Sequence, residues 1–430
     1  MIGRSSNSTH DGALGRRFSL LAGATGASNL GDGIFRLALP LVAVGITRSP
    51  VAVAGVEAAR SLAWPVLALP VGAAADRLDR RHVMIVANGA RAALTFAAAA
   101  LLGFGWESIG LLYAVAVGVG IAEVFSDTAG QSVLPSVVER AELGRANGRL
   151  AALEHGAQQF VGPPVVGLLV AVGAGAAFAG TAALWAVAVV PLWCLRGRFR
   201  PVRARSSSTV RAEIGQGLRF VAGRPVLRLM AGTVGVANLA TSAAGSVLVL
   251  FAVGESSSLG LDESHFTLLV LVAAVGGVLG SLLYEPVARR LGRALGLKVA
   301  IVGIAVSVGV PAVSSDLWVV TGTMFVGGAA IMLWNVPTVA YRQALTPDHL
   351  LGRVNSVYRL VAFGTMPLGA LLAGLTAEVF GLRSVFAGSA LLTLALLVPV
   401  GRLGDAALAE PDDSPGETLA RPLPAPSAPV

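Results

Sequence analysis

The residues of this chain that could do chemistry are few, and they stand inside long apolar runs. Asp32 and Arg36 lie one helical turn apart in the first run. Glu57 and Arg60 lie three apart in the second, on one face of a helix. Arg91 stands alone in the third, and Glu123 and Asp127 lie one turn apart in the fourth. Glu154 and His155 follow in the fifth. A carboxylate in such surroundings can carry a proton. Burial favours its neutral form and a nearby cation favours its charged form, so a change of surroundings loads or unloads it. Asp32, with Arg36 beside it, suits that role best; Glu123 and Glu57 come next. Each acid also has a plainer reading, a static ion pair that fixes helix register. His155 reads as a hydrogen-bonded helix contact.

The elements that hold these groups are set by composition. Of 430 residues, 55% are apolar and only 13% charged, against roughly 25% charged in soluble domains. The mean hydropathy is +0.75. A bilayer crossing needs about 20 mostly apolar residues. Twelve runs qualify: 18–46, 51–75, 82–104, 108–132, 149–171, 174–196, 226–253, 264–284, 295–313, 316–341, 353–378 and 382–402. The expected fold is all-α and integral to the membrane, with helices packed closely through 53 glycines. The first run is too long for a cleaved signal sequence and reads as a retained helix. Residues 1–17 form an N-terminal segment and 18–196 a six-helix half. The Arg- and Ser-rich stretch 197–225 is a linker, and Ile214, Leu218 and Val221 predict a short amphipathic helix in it. Residues 226–402 form a second six-helix half, and 403–430 a polar, Pro-rich disordered tail. Cys194 is the one cysteine, expected as a buried small hydrophobe.

Charge sets the orientation. Of 32 Lys and Arg residues, only Arg48 and Arg383 fall in the loops that follow odd-numbered spans, and Arg36, Arg60 and Arg91 lie within spans. All others, including Arg342, Arg353 and Arg359 around the loop after span 10, fall at the opposite, Arg-rich end. The positive-inside rule makes that end cytoplasmic, with both termini there. The net charge of +8 therefore marks topology, not nucleic-acid binding. No P-loop, nucleophile elbow or Cys/His metal set is present, which argues against an enzyme and against a cofactor or metal. The expected partners are a small molecule, protons and the bilayer.

Two motifs are specific. Between spans 2 and 3 the chain reads Gly72-Ala-Ala-Ala-Asp76-Arg77-Leu-Asp79-Arg80-Arg81. Gln131 to Pro135 and Leu143-Gly-Arg145-Ala-Asn147 follow span 4; Gln343 to Pro347 and Leu351-Gly-Arg353-Val-Asn355 follow span 10. That repeat, six helices apart, implies two parallel halves. The first motif resembles the signature loop of the major facilitator superfamily, with Asp79 where a second glycine is usual. The resemblance implies a twelve-helix major-facilitator bundle of two six-helix halves, alternating between two openings. In it Gly72, Asp76, Arg77, Arg80, Arg81 and Asp127 would form a conformational latch, with Asp127 the acid that meets the arginines.

Span 5 carries Gly162-Pro163-Pro164 and Gly167, which resemble the Gly-Pro motif of exporters in this superfamily; a generic proline kink is the alternative. Gly31-Asp32-Gly33, the signature loop and the repeated Arg-x-Asn are most similar to the branch of drug, macrolide and siderophore exporters. That resemblance implies proton-driven export of a hydrophobic small molecule from a bacterial inner membrane. The alternatives are an uptake symporter for a nutrient and a non-transporting sensor or assembly partner with the same fold.

Overall fold

The computed structural model describes residues 14–75, 78–197, 199 and 210–402. Eleven of its helices are long and apolar enough to cross a membrane. The spanning helices are α1 (Gly15–Ile46), α2 (Pro50–Ser61, continued as Ala63–Ala75), α3 (Arg80–Gly103) and α4 (Ile109–Val133). Further along the chain come α6 (Ala174–Cys194), a linker helix (Val210–Ala222), α7 (Pro225–Ala252), α8 (Glu263–Leu291) and α9 (Arg293–Val313). The last are α10 (Leu317–Ala344), α11 (Asp348–Phe380) and α12 (Leu382–Ala395, continued as Leu397–Gly401). The remaining crossing, α5, is broken into Leu143–His155, a π-helical turn Gly156–Val161, and Gly162–Val172.

The breaks have identifiable causes. Pro163 and Pro164 have no N–H to give to the turn before them, and their rings crowd the carbonyls four residues back. The chain widens to fit, and the Gly162 N–H bonds five residues back to Ala157 O. In α2, Pro65 lacks the N–H that would bond to Ser61, and the helix breaks at Leu62. Helices start where side-chain caps stand: Ser49, Asp79, Asp262 and Asp316 each accept from a main-chain N–H three residues on.

Helix neighbours repeat with a shift of six. In the first half α3 packs on α6 and α4, α1 on α6, and α2 on α4. In the second, α9 packs on α12 and α10, α7 on α12, and α8 on α10. The halves meet along α2 with α11 and α5 with α8. The α8–α10 crossing is the tightest of the second half. A Cβ on Gly328 would lie 1.8 Å from Ala273 O, and one on Gly276 2.0 Å from Phe325 O. Water cannot drive such packing within a bilayer, so backbone approach supplies the contact.

At the Arg-poor end the halves are tied. Arg48 Nη1 donates to Val253 O at 2.6 Å, and Ser264 Oγ donates to Gly167 O at 3.1 Å. Gly254 has a φ of +102°, and a Cβ there would collide with the Arg48 guanidinium. Two expectations meet the structure differently. The linker helix packs on α11 and α7, and Arg353 donates to Gln216 there. Cys194 is exposed at the end of α6, not buried, because the last turn faces outward beside Trp193. The proposed tail, 403–430, lies outside the described residues.

Gly328→Val is expected to force α8 from α10 and destabilise the protein by about 1–3 kcal/mol, the usual range for overpacking. Thermal unfolding of the detergent-purified protein measures it. A midpoint equal to wild type would contradict this account of the crossing.

Candidate functional site

The site begins with Gly31-Asp32-Gly33 on α1. A Cβ on Gly31 would lie 2.8 Å from Trp185 Nε1, and one on Gly33 would lie 2.7 Å from Gln158 Cα. The two glycines thus let α6 and α5 close on α1 around the carboxylate between them. Arg91 of α3 donates from Nη1 to Asp32 Oδ1 at 2.6 Å. Trp185 Nε1 donates to the same oxygen at 3.1 Å. The Arg91 side chain is fully buried. Its Nη2 donates to Ser28 Oγ (3.0 Å) and Asn88 Oδ1 (2.8 Å), and its guanidinium lies over the Trp185 ring.

The partner of Asp32 is therefore Arg91, not Arg36. Arg36 lies two turns beyond Asn29 on the face that meets α5, and donates to Gln158 Oε1 at 3.3 Å. Gln158 in turn donates to Asn29 Oδ1 at 2.6 Å. It sits in the π-helical turn, so the distortion of α5 places the amide that receives Arg36.

A second pair lies between α2 and α4. Arg60 donates to both oxygens of Glu57, from Nη2 at 2.7 Å and Nε at 3.1 Å. Its Nη1 donates to Glu123 Oε2 at 3.0 Å. Gly120, one turn before Glu123, lets the Arg60 carbonyl close on α4; a Cβ there would lie 2.2 Å from that oxygen. The fork geometry of guanidinium suits two carboxylates at once. Sequence spacing predicts the Glu57–Arg60 pair but not its third member, which comes from another helix.

Toward the Arg-rich end, α1, α3, α4 and α5 enclose a polar cavity of about 400 Å³. Ser28 and Asn88, both bonded to Arg91, form part of its wall, together with Ser126, Asp127, Gln131 and Glu154. A hydrogen-bonded path thus links the cavity to the Asp32–Arg91 pair. His155 bonds from Nδ1 to Ala151 O, as a helix contact would.

The expected latch is only partly in view. Asp76 and Arg77 lie outside the described residues, and Gly72 sits in the last turns of α2. Arg80 and Arg81 do not pair with Asp127 here. Arg80 donates to Ser132 O at 2.7 Å, and Arg81 to Leu192 O and Trp193 O at 2.6 and 2.7 Å. They satisfy the last carbonyls of α4 and α6, which have no intrahelical partner. Asp127 instead faces the polar cavity. Of the Gly-Pro motif, Gly162 meets Gly33 of α1, Pro163 is buried, and Gly167 meets Ser264 and Thr267 of α8.

One cation is misplaced by the sequence reading. Arg359 counts there with the cations around the loop after span 10, although it falls inside the span 353–378; α11 begins at Asp348, and Arg359 lies three turns inside it. It crosses to the first half: Nη1 donates to Gln131 Oε1 at 2.7 Å, and the guanidinium lies over Trp64. The available signal is the apolar sequence resuming directly after it, from Leu360 onward.

With this geometry the chain can be set beside known proteins. Residues 15–423 match the model of a family described as transmembrane secretion effectors. The chain belongs to that family of major facilitator transporters. It is 30% identical over 395 residues to the multidrug efflux pump Tap of Mycolicibacterium fortuitum, covering 87% of this chain and 90% of that one. It is 28% identical over 430 residues to the pump of the same name from Mycobacterium tuberculosis H37Rv, covering 94% and 97%. Among solved structures, the nucleoside transporter NupG superposes with a TM-score of 0.70 at 13% identity, over 90% of this chain and 100% of that one. A bacterial homologue of the iron transporter ferroportin, in its inward-facing state, superposes at 0.68 and 18% identity, over 91% and 100%. At these identities the structures share the fold. The protein is a multi-pass membrane transporter of small molecules, not an enzyme.

Removing one partner of a buried pair strands the other, at a cost of about 3–5 kcal/mol. Asp32→Ala is expected to destabilise by that order. Asp32→Ala combined with Arg91→Met should lose much less than the sum of the two single changes. A double-mutant cycle on thermal unfolding reads the coupling, and simple additivity would refute a direct pair.

Proposed function

We propose that this chain exports hydrophobic small molecules, such as drugs, antibiotics or siderophores, in exchange for protons. The relatives named multidrug efflux pumps, matched over nearly their whole length, support export. The observation that carries proton coupling is Asp32. It is a buried carboxylate, paired to Arg91 at 2.6 Å and joined through Ser28 and Asn88 to a polar cavity. An acid whose cation partner can be drawn off as helices move is loaded in one state and unloaded in the other. Glu57 and Glu123, held by Arg60, form the second proton-sensitive group. Arg36 supplies positive charge on α1 near both sets.

In this reading the Arg-rich end faces the cytoplasm of a bacterial inner membrane, and both termini lie there. Residues 18–196 and 226–402 rock as two units about the 197–225 linker. The ties from Arg48 and Ser264 then close the external side. The latch of Gly72, Asp76, Arg77, Arg80, Arg81 and Asp127 engages in the opposite state, when the cytoplasmic ends meet. Gly162, Pro163 and Gly167 keep α5 thin where it touches α1 and α8.

Everted vesicles from an efflux-deficient host expressing the protein test this. A screen of antibiotics, dyes and siderophores for raised tolerance of the host selects the probe. Acidifying the vesicle lumen is expected to drive accumulation of that probe. Asp32→Asn should reduce it about tenfold, within the ordinary range of coupling free energies. Undiminished accumulation by Asp32→Asn would remove Asp32 from the coupling step. No raised tolerance across the panel would count against export.

A further inference from the structure

A groove of about 950 Å³ lies away from the acids, on the outer face of α3 and α4. Its floor is Gly118, Ile121, Ala122 and Phe125 of α4, and its wall is Val86, Ala87 and Ala90 of α3. Val86 and Ile121 are exposed, so this face meets the bilayer. Small side chains at 87, 90 and 122 leave the space open. One turn beyond Ala90 the helices close again: a Cβ on Gly118 would lie 2.7 Å from Leu94 Cδ1. From His82 to Ala90 the helix rises about 12 Å. That is most of the roughly 15 Å of apolar depth in one leaflet.

The polar groups of the lining all stand at the Arg-rich end. Asp79, Arg81 and His82 form the mouth there, beside Trp193. Arg81 is fixed in place: Nε donates to Leu192 O at 2.6 Å and Nη2 to Trp193 O at 2.7 Å. Those bonds use two of the five N–H donors of a guanidinium. His82 is exposed, and its ring offers an N–H in either protonation state. The one acid of the lining, Asp79, is turned onto the main chain, where Oδ1 accepts from the His82 N–H at 3.2 Å. Since α3 begins at Arg80, the positive end of its dipole lies at the same mouth. Trp193 is 67% exposed, as tryptophans at a membrane surface often are.

We propose that this groove is a binding site for an anionic phospholipid of the leaflet at the Arg-rich end. One acyl chain lies between α3 and α4, and the phosphate sits on Arg81, His82 and the start of α3. Two features together select that occupant. The groove is apolar along its whole depth, so it offers nothing to orient the polar groups of a drug-sized ligand. Its cations stand only at headgroup level, where an amphiphile with an anionic head and an apolar tail places its charge. Basic pockets between spanning helices bind anionic headgroups in this way. The bound lipid then joins three helices, α3 and α4 through its chain and α6 through Arg81.

Native mass spectrometry of the detergent-purified protein, titrated with phosphatidylglycerol, tests this. One phosphatidylglycerol is expected to bind more tightly than phosphatidylethanolamine. Arg81→Gln should weaken it about fivefold, the ordinary worth of one cation near an anionic surface. Ala90→Trp fills the groove from an exposed position and leaves the mouth intact; it should abolish the tight site. Equal retention of the two lipids would overturn the proposal, as would phosphatidylglycerol retention unchanged in both variants. Competition by glycerol 3-phosphate at the same concentration as the lipid would reveal a phosphate site with no use for the groove, and also overturns it. Tighter retention of the dye rhodamine 6G than of phosphatidylglycerol, lost in Ala90→Trp, would make the groove a drug site instead. Arg81 also holds the end of α6, so Arg81→Gln may not fold. His82→Gln and Ala90→Trp then decide, and unchanged retention in both overturns the proposal.

Discussion

A charge within a bilayer must be paired, hydrogen-bonded or wet, because an isolated one costs several kcal/mol. That constraint arranges the first half of this transporter. Arg91 can stay buried in α3 only because Asp32, Ser28 and Asn88 together surround it. Arg60 can stay in α2 only because α4 brings Glu123 to the Glu57 pair. Each pairing fixes how one helix is rotated and raised against another. The glycines at 31, 33 and 120 follow from it, since ionic distances need backbones closer than side chains normally allow.

The second half is held by different means. Asn238 and Ser242 of α7 bond to the carbonyls of Ala362 and Met366 on α11, and Tyr358 reaches back to Leu227 O. These are neutral bonds that fix helix contacts without any need for a titrating group. Aromatic and apolar packing around Trp334, Tyr341 and Tyr358 fills the rest. Chemistry and scaffold are thus divided between halves of similar architecture. The two halves touch along the α2–α11 and α5–α8 contacts.

Much of the architecture could be read from the chain. Apolar length gave the crossings, because the bilayer allows no other way to satisfy the backbone. The Gly-Asp-Gly of α1 and the Gly-Pro of α5 both proved to be points of close helix approach. The partnerships were less legible. Asp32 and Arg36 are neighbours in sequence, and local spacing is all that a single chain offers. The actual partner, Arg91, is 59 residues away, and only tertiary packing decides between them. Arg359 was hidden for another reason: it counted with the cations of the Arg-rich end, and only tertiary packing shows that, three turns inside its helix, it crosses to Gln131 and Trp64. Arg80 and Arg81 show the converse, charges that look poised for ion pairing but satisfy helix ends.

The π-helical turn of α5 has a geometric consequence for the whole crossing. An α-helix turns about 100° per residue. One extra residue wound into a single turn therefore swings everything beyond it by roughly that angle relative to a straight rod. The lower segment can aim Glu154 at the polar cavity, while the upper aims Gly167 at α8. A regular helix of this sequence would have to give up one aspect to present the other. The irregularity works as a fixed swivel, giving one rod two independent azimuths at two depths of the membrane.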